Sequence, residues 1–290
     1  MSMAELLKFG EVMEMLNIKK IAKTMRKDIL EISYLCNLSA HIGGGLSMVE
    51  IMAVLYGRVL RYEIGNPRWE DRDRFILSKG HGVLGYFSAL LTAGIIKVET
   101  FRTFQTNESD LIAHPVMNVD LGIESSNGSL GQGLSMGVGI ALAAKKKLKN
   151  FRVFVYVGDG ECNEGSIWEA AMSASQLGLD NLTVIVDYNK LQSDGDSTQI
   201  IDLGDLAGKF KSFGWDVREI DGHNIDEIVN ALESIKEIKR PRVLVAHTIK
   251  GKGISFMENN NEWHHNRLTK NYYDLAMTEL MLNDKESLEV

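Results

Sequence analysis

The sequence predicts an α/β fold with a doubly wound, mostly parallel sheet and helices on both faces. Apolar runs of strand character alternate with longer segments of helical spacing, which is the pattern of strand–helix–strand units. Two of these runs end in the polar loops Gly158-Asp159-Gly160 and Asp187-Tyr188-Asn189, and ligands of open parallel sheets bind at the carboxyl ends of strands. No repeat or low-complexity linker divides the chain, so a single domain over residues 1–290 is expected.

The predicted elements follow one another in a regular order. Helical apolar spacing is found over residues 18–37, 46–60, 82–93, 130–147, 164–177, 225–235 and 268–282. Short, β-branched apolar runs predict strands over residues 153–157, 182–186, 216–220 and 242–247. Residues 39–45 are predicted to form a glycine-rich loop, and Ser47 and Glu50 have the spacing of a helix capping box.

Composition narrows the classes of protein to consider. The net charge of −7 and the absence of a basic tract argue against a nucleic-acid partner. Cys36 and Cys162 are too few for a disulfide framework or a structural zinc site, so a reducing cytoplasm is expected. Neither a signal peptide nor an apolar run of about eighteen residues is present, so neither secretion nor membrane spanning is predicted.

The two polar strand ends predict a cation site. Asn189 follows Asp159 by thirty residues, and the helical segment between them makes this a strand–helix–strand crossover. Such crossovers are right-handed and return to the same sheet, so the two strand ends should lie side by side. A carboxylate and an amide oxygen suit a hard cation such as Mg²⁺, and the flanking glycines allow close approach to a phosphate. A dinucleotide fingerprint is excluded, because its third glycine would fall at Asn163.

This pair of strand ends resembles the diphosphate-binding motif of thiamine-diphosphate enzymes. The resemblance implies that Asp159, Asn189 and the backbone carbonyl of Leu191 hold Mg²⁺, with Ca²⁺ or Mn²⁺ as substitutes, and that the metal bridges the two phosphates of the cofactor. Three protein oxygens, two phosphate oxygens and one water would complete the octahedron that Mg²⁺ prefers.

Four further motifs resemble the amino-terminal, diphosphate-binding portion of transketolase, and together with the metal motif they cover residues 18–264. They are Ser39-Ala40-His41-Ile42-Gly43-Gly44, the segment 73–82 with Ser78-Lys79-Gly80-His81, Ala113-His114-Pro115, and Asn127-Gly128-Ser129-Leu130-Gly131-Gln132-Gly133. The resemblance implies a thiamine-diphosphate- and Mg²⁺-dependent transferase that moves a two-carbon ketol unit from a ketose to an aldose.

The resemblance also implies residue roles, carried over position by position. The expected catalytic histidines are His41, His81, His114 and His264. The expected cofactor-binding residues are His81, Gly128, Ser129, Leu130, Gly158, Asp159, Gly160, Glu164, Asn189 and His264. Glu164 and Glu169 match acidic residues at the dimer interface of the family. His223 and His247 have no such match and are expected to be structural, and His265 is a neighbour of His264 without a counterpart.

Partners and substrate follow from the same resemblance. The middle and carboxy-terminal domains of single-chain transketolases have no counterpart in this sequence, so a separate carboxy-terminal subunit is expected. A homodimer of this chain would then form the centre of an α₂β₂ assembly that acts on small sugar or sugar-phosphate substrates.

Several departures from the motifs leave the donor open, namely Ala113, Val116, Asn127 and Ser129. Besides the pentose and hexose phosphates of the pentose phosphate pathway, an apulose phosphate or a sulfosugar is therefore an alternative donor. A 1-deoxyxylulose-phosphate synthase and the alpha subunit of a 2-oxoacid dehydrogenase are alternatives that share the metal motif but lack the other motifs.

Overall fold

The structure is a computed structural model that describes residues 3–233 and 239–286. Its centre is a five-stranded sheet in which every neighbouring pair is parallel, with the strand order β2-β3-β4-β6-β5. These strands are β2 (Arg74–Leu77), β3 (Val153–Gly158), β4 (Leu182–Tyr188), β5 (Asp216–Asp221) and β6 (Arg242–His247). A separate antiparallel pair joins β1 (Ser39–Ala40) to β7 (Asn266–Arg267). The parallel α/β sheet predicted from the sequence is confirmed.

Helices connect the strands and cover the sheet. They are α1 (Met3–Leu35), α2 (Ile42–Leu46), α3 (Val49–Val54), α4 (Val83–Thr92), α5 (Val98–Phe101), α6 (Gln132–Lys146), α7 (Gly165–Gln176), α8 (Ser197–Ile200), α9 (Leu206–Ser212), α10 (Ile225–Glu233) and α11 (Lys270–Glu286). Helix α3 continues as a π-turn over Leu55–Val59. None of the helices in the described ranges combines the length and the apolarity needed to cross a membrane.

The two faces of the sheet are buried in two separate apolar cores. Along β3, Phe154 and Tyr156 contact the core formed with α1, α3 and α4, whereas Val153, Val155 and Val157 contact the core formed with α6, α7 and α9. Alternate residues of a strand point to opposite faces, so a strand that is apolar at every position must be covered on both sides. The doubly wound arrangement is thereby confirmed.

Two local predictions are wrong. Residues 39–45 do not form a simple loop, because β1 and α2 occupy this stretch and α2 is fully buried. Ser47 and Glu50 do not form a capping box: the residue before α3 is Met48, whose side chain makes no capping hydrogen bond. The Ser47 hydroxyl instead donates to Asp187 Oδ2 at 2.7 Å, and Glu50 accepts a hydrogen bond from Arg26 at 2.5 Å. Buried tertiary partners outweigh the local capping interaction at both positions.

Helix α6 lies unusually close to the sheet, which places its first turn beside the ends of β2 and β3. A Cβ atom at Gly137 would lie only 2.4 Å from Val155 Cγ2, and one at Gly133 would lie 2.5 Å from Ser78 Cβ. The Gly- and Ala-rich composition of this helix therefore serves close packing, as the sequence predicted.

Candidate active site

The carboxyl ends of β3 and β4 bring the predicted metal ligands together. Gly158 pairs with Asp187 in the parallel register, so Asp159 lies beside the end of β4. The Asp159 carboxylate accepts hydrogen bonds from the backbone N–H of Gly160 at 2.8 Å and of Lys190 at 2.5 Å. The carboxylate is thus held against the loop that carries the other two predicted ligands.

Asn189 is held in one amide orientation. Its Nδ2 donates to Asp187 Oδ2 at 3.1 Å, and its Oδ1 accepts from the backbone N–H of Leu191 at 3.0 Å. Lys190, which lies between Asn189 and Leu191, has a φ of 64°. This left-handed conformation turns the chain sharply and is strained for a residue other than glycine. Both side-chain atoms of Asn189 are therefore assigned, and its oxygen keeps a lone pair for a cation.

The donor and acceptor groups at the carboxyl ends of β3 and β4 fit a divalent cation and a phosphate. Burial, and then the nearby Asp187, raise the pKa of Asp159 to about 6, and across the described ranges no lysine or arginine forms an ion pair with this carboxylate. Gln192 Nε2 is buried without a hydrogen-bond partner, and a Cβ at Gly160 would lie 2.6 Å from the Gln192 Cγ. A cation would compensate the carboxylate, and a phosphate oxygen would accept from the amide.

Asp187 has a different role from that of Asp159, although both carboxylates are buried. It forms a buried ion pair with Lys79, whose Nζ also donates to Gly44 O at 2.9 Å and to Ser47 Oγ at 3.1 Å. Lys79 contacts Oδ2 of Asp187, and Thr248 Oγ1 donates to Oδ1 of the same carboxylate. Burial alone would raise the pKa of Asp187, but the Lys79 charge and these hydrogen bonds outweigh it and hold the pKa below its usual range. Asp187 was not among the predicted site residues.

Glu161 braces the glycine loop from inside. Its carboxylate accepts hydrogen bonds from the backbone N–H groups of Gly158 at 3.0 Å and Gly131 at 2.8 Å, and from the Ser78 hydroxyl. These contacts tie the end of β3 to the start of α6. The residue lies inside the predicted metal motif, but its neighbours along the chain gave no signal of this tertiary role.

Four predicted catalytic histidines form one cluster. The His41 ring centre lies 5.6 Å from those of His81 and His114 and 5.3 Å from that of His264, and His81 and His264 are 5.3 Å apart. His265, which was not predicted as a site residue, is nearer still, with its ring centre 4.5 Å from that of His41. Its position next to His264 was the only sequence signal that could have indicated it.

The cluster is uncharged near neutral pH. Burial, and then the neighbouring histidines, lower the pKa of His41 to about 3. Burial, followed by Lys250, lowers the pKa of His264 to about 4. Among the described residues, no group of three His, Cys, Asp or Glu side chains is placed to hold a metal ion.

Leu130 and the glycine-rich loop occupy the rim of the same region. Leu130 lines a cavity of about 120 Å³ together with Asp159, Asn189, His81 and His264. A Cβ at Gly128 would lie 3.8 Å from the His114 ring, and Ser129 is exposed. The structure therefore brings the predicted metal ligands, Leu130 and two histidines to one cavity.

Glu164 and Glu169 lie outside this cavity. Both side chains are exposed, and Glu164 packs against Gly131, where a Cβ would lie 2.7 Å from the Glu164 Cβ. Glu169 lies on the exposed side of α7. Their assignment to an interface stays a prediction.

Comparison with known proteins identifies the family. Residues 19–290 match the family described as "Transketolase, thiamine diphosphate binding domain". The chain belongs to the transketolase family. The predicted family membership and fold are confirmed, and its members are transferases that bind thiamine diphosphate through this domain.

The relatives include separate subunits of similar length. The chain is 42% identical to an apulose-4-phosphate transketolase subunit of Actinobacillus succinogenes over 263 residues, 91% of this chain and 95% of the relative. It is 43% identical to the 6-deoxy-6-sulfo-D-fructose transketolase subunit of Clostridium sp. MSTE9 over 83% of this chain and 88% of the relative. Human transketolase is 35% identical over 83% of this chain and 38% of its own length.

Solved transketolases share the fold. The transketolase of Campylobacter jejuni superposes with a TM-score of 0.82 at 29% identity, over 90% of this chain and 43% of that one. The transketolase of Pichia stipitis in complex with sedoheptulose 7-phosphate gives a TM-score of 0.84 at 28% identity, over 91% and 40%. This chain spans about two fifths of the length of these structures.

Proposed function

We propose that this chain is the diphosphate-binding subunit of a two-subunit transketolase that requires Mg²⁺ and thiamine diphosphate. Its donor is a ketose with an anionic terminal group, of the class of apulose 4-phosphate or 6-deoxy-6-sulfo-D-fructose, and its location is cytoplasmic. The observation that carries this proposal is the 42–43% identity to subunits of such enzymes, which this chain matches over 88–95% of their length.

The relatives favour the non-standard donor over the usual pentose and hexose phosphates. Subunits named for apulose 4-phosphate or sulfofructose are 41–43% identical to this chain, whereas the human and bovine transketolase-type proteins are 35% identical. Asn127, Ser129 and Val116, which depart from the family motifs, lie in the loops around His114. The 2-oxoacid dehydrogenase alternative receives no support from the family match.

The carboxyl ends of β3 and β4 supply oxygen ligands for the metal ion. Asp159, Asn189 and the Leu191 carbonyl would hold Mg²⁺, and Gln192 would donate to a phosphate oxygen. When bound, thiamine diphosphate supplies the carbanion chemistry, because side chains alone offer no comparable nucleophile. Gly158 and Gly160 allow the backbone to approach the diphosphate closely.

The histidines act on the sugar. Neutral imidazoles hydrogen-bond to hydroxyl groups and exchange protons with alkoxide oxygens as the carbon–carbon bond breaks and forms. His41 lies at the centre of the cluster and contacts four other histidine rings, which places it to orient the donor. His81, which is partly buried and lines the cavity, is assigned to the diphosphate side together with Lys79.

The assembly includes a second copy of this chain together with a carboxy-terminal partner. The apulose-4-phosphate and sulfofructose relatives are themselves named as subunits, which supports a partner for this chain as well. The exposed Glu164 and Glu169 lie beside and on α7, where a second copy would meet them in an α₂β₂ complex.

Reconstitution tests this function. The purified chain is expected to be inactive with Mg²⁺ and thiamine diphosphate, and to transfer a two-carbon unit once the carboxy-terminal transketolase subunit is present. Apulose 4-phosphate, 6-deoxy-6-sulfo-D-fructose and xylulose 5-phosphate should be compared as donors to glyceraldehyde 3-phosphate, with products identified by mass spectrometry. Full turnover by this chain alone would contradict the two-subunit assignment, and a preference for xylulose 5-phosphate would contradict the donor class.

A further inference from the structure

A buried lysine contacts the candidate site from the loop that follows β6. Lys250 is only 2% exposed, and in the described ranges it forms no ion pair with a carboxylate. Its Nζ lies near four acceptor atoms, which are His264 Nδ1 at 2.7 Å, Asn261 Oδ1 at 3.0 Å, Gln192 O at 3.1 Å and Leu191 O at 3.4 Å. This lysine therefore joins the metal loop to the histidine cluster.

The number of protons on Lys250 Nζ decides which of these contacts are full hydrogen bonds. An ammonium group has three N–H donors and no acceptor, so Lys250 can satisfy three acceptors at full strength. The three shortest contacts use all three protons, and the longest, to Leu191 O, is left over. The Leu191 carbonyl accordingly keeps its lone pairs for the metal to which it is assigned.

The neighbouring amide supports this assignment. Asn261 Nδ2 donates to Ser193 O at 2.7 Å, so its other end, Oδ1, must face Lys250. His264 Nδ1 must likewise be an acceptor, because the ammonium can only donate to it. In a neutral imidazole the single proton then resides on Nε2.

We propose that Lys250 is a positioning residue that fixes His264 as its Nε2–H tautomer, so that this ring presents a hydrogen-bond donor to the sugar oxygens in the cavity. The role rests on the proposed function. His264 lines the cavity, and its Nδ1 is occupied by Lys250, so Nε2 is the atom left for a ligand. In this tautomer Nε2 donates a proton and does not accept one, which makes His264 an oxyanion donor rather than the base.

The charge states agree with the hydrogen bonds. Burial and the Lys250 charge lower the pKa of His264 to about 4, which leaves the ring neutral. A cationic donor therefore faces a neutral acceptor.

The tautomer can be measured without cofactor or partner. In the chain labelled with ¹⁵N-histidine, long-range ¹H–¹⁵N spectra at pH 7 distinguish the two ring nitrogens, and the His264 signal is the one that disappears in His264→Gln. The wild type should show the Nε2–H form. Lys250→Met should change it to Nδ1–H or to a mixture, while Lys252→Met, on the same loop but paired with Glu258, should match the wild type. An Nδ1–H form in the wild type would overturn the proposal even if Lys250→Met does not fold.

The turnover of the reconstituted enzyme provides a second test of the role of Lys250. In the reconstituted enzyme Lys250→Met should lower kcat by about tenfold to a hundredfold, as loss of an orienting partner commonly does. Magnesium affinity should not weaken, since Leu191 O is not the lysine's main acceptor. An altered tautomer with unchanged kcat would overturn the catalytic role. If the wild-type complex transfers no ketol unit, the proposed function fails, but the spectrum still decides the tautomer.

Discussion

Two buried carboxylates at one edge of the sheet differ in their partners. Asp187 has Lys79, two hydroxyl donors and the Asn189 amide, so its charge is fully compensated by the protein. Asp159 has backbone N–H donors but no cationic partner among the described residues. We infer that Asp187 is a structural anchor, whereas Asp159 is a ligand whose compensation comes from outside the chain.

Removing the Asp159 charge should abolish the metal site. Asp159→Asn is expected to raise the dissociation constant for thiamine diphosphate in Mg²⁺ buffer by on the order of 100-fold, because an anionic ligand is lost. Calorimetric titration measures this, and Asp202→Asn, an exposed carboxylate, serves as the control. Equal affinity of wild type and Asp159→Asn would refute the assignment.

The histidine cluster makes stability dependent on pH. His41 faces His81, His114, His264, His265 and Lys79, and its folded-state pKa of about 3 lies below the unfolded value of 6.5. The unfolded chain therefore binds the proton first. Stability is fully present above about pH 6.5 and falls as the pH decreases from there towards 3.

His41→Asn should reduce this loss. Between pH 7 and 5 the wild type is expected to lose about 1 kcal/mol through this residue, after allowance for solvent screening, or roughly 2–4 °C in Tm. Thermal unfolding of the cofactor-free chain at several pH values measures the difference between the variants. The exposed His247, paired with Glu219, provides the control in His247→Asn. Parallel curves for wild type and His41→Asn would show that His41 titrates normally.

At the scale of single elements, the position of α6 decides where the glycine-rich loop and Leu130 lie. The helix approaches the sheet closely because Gly133 and Gly137 have no side chain where Ser78 and Val155 pack. Gly139 belongs to the same helix, but a Cβ there would meet nothing within 4 Å. Gly133 and Gly137 are thus needed for close packing on the sheet, whereas Gly139 is not.

Two alanine substitutions test which of these glycines is needed for close packing. Gly137→Ala should destabilise the chain by about 1–3 kcal/mol, because the new methyl group overlaps Val155. Gly139→Ala should stabilise it by up to about 1 kcal/mol, because alanine favours the helix and meets no neighbour. Urea unfolding of both variants and the wild type provides the comparison. A stabilising effect at Gly137 would mean that α6 does not rest on the sheet as described.

At the scale of the whole molecule, α6 and α7 lie side by side and leave apolar side chains uncovered. Met136 is 41% exposed and Met172 is 55% exposed, and Glu169 lies on the same helix as Met172. Exposed apolar side chains that form one patch are typical of protein interfaces, and these two methionines lie on neighbouring helices. They support the proposed contact between two copies of this chain.

A charge on this surface should separate the copies. Met172→Glu is expected to weaken the homodimer by about 2 kcal/mol or more, roughly 30-fold in Kd, since it buries an unpaired charge. Sedimentation velocity over a concentration series measures the dimer. Met281→Glu, with 54% exposure on α11, is the matched control. Dissociation by Met281→Glu instead of Met172→Glu would place the interface on the other side of the molecule.

Local pattern accounts for part of this structure. The strands β3 and β4 lie within two residues of their predicted ends, because long apolar runs leave little choice of conformation. Strand β2 was not predicted, because its four residues are too short to show a period. Residues 39–45 were misassigned because their glycines suggested a loop. In the structure, close packing against Leu84 and Trp263 makes α2 helical and buried.

The sequence by itself determined the fold class and the family, because motif order and spacing along the chain carry that information, and the same motifs predicted the candidate site residues. Only the tertiary structure decided the partners of Lys79, Asp187 and Lys250 and the place of His265 beside His41. Each of these contacts joins residues far apart in the chain or depends on how a loop turns. The energy of a buried charge depends on what surrounds it, which no local pattern records.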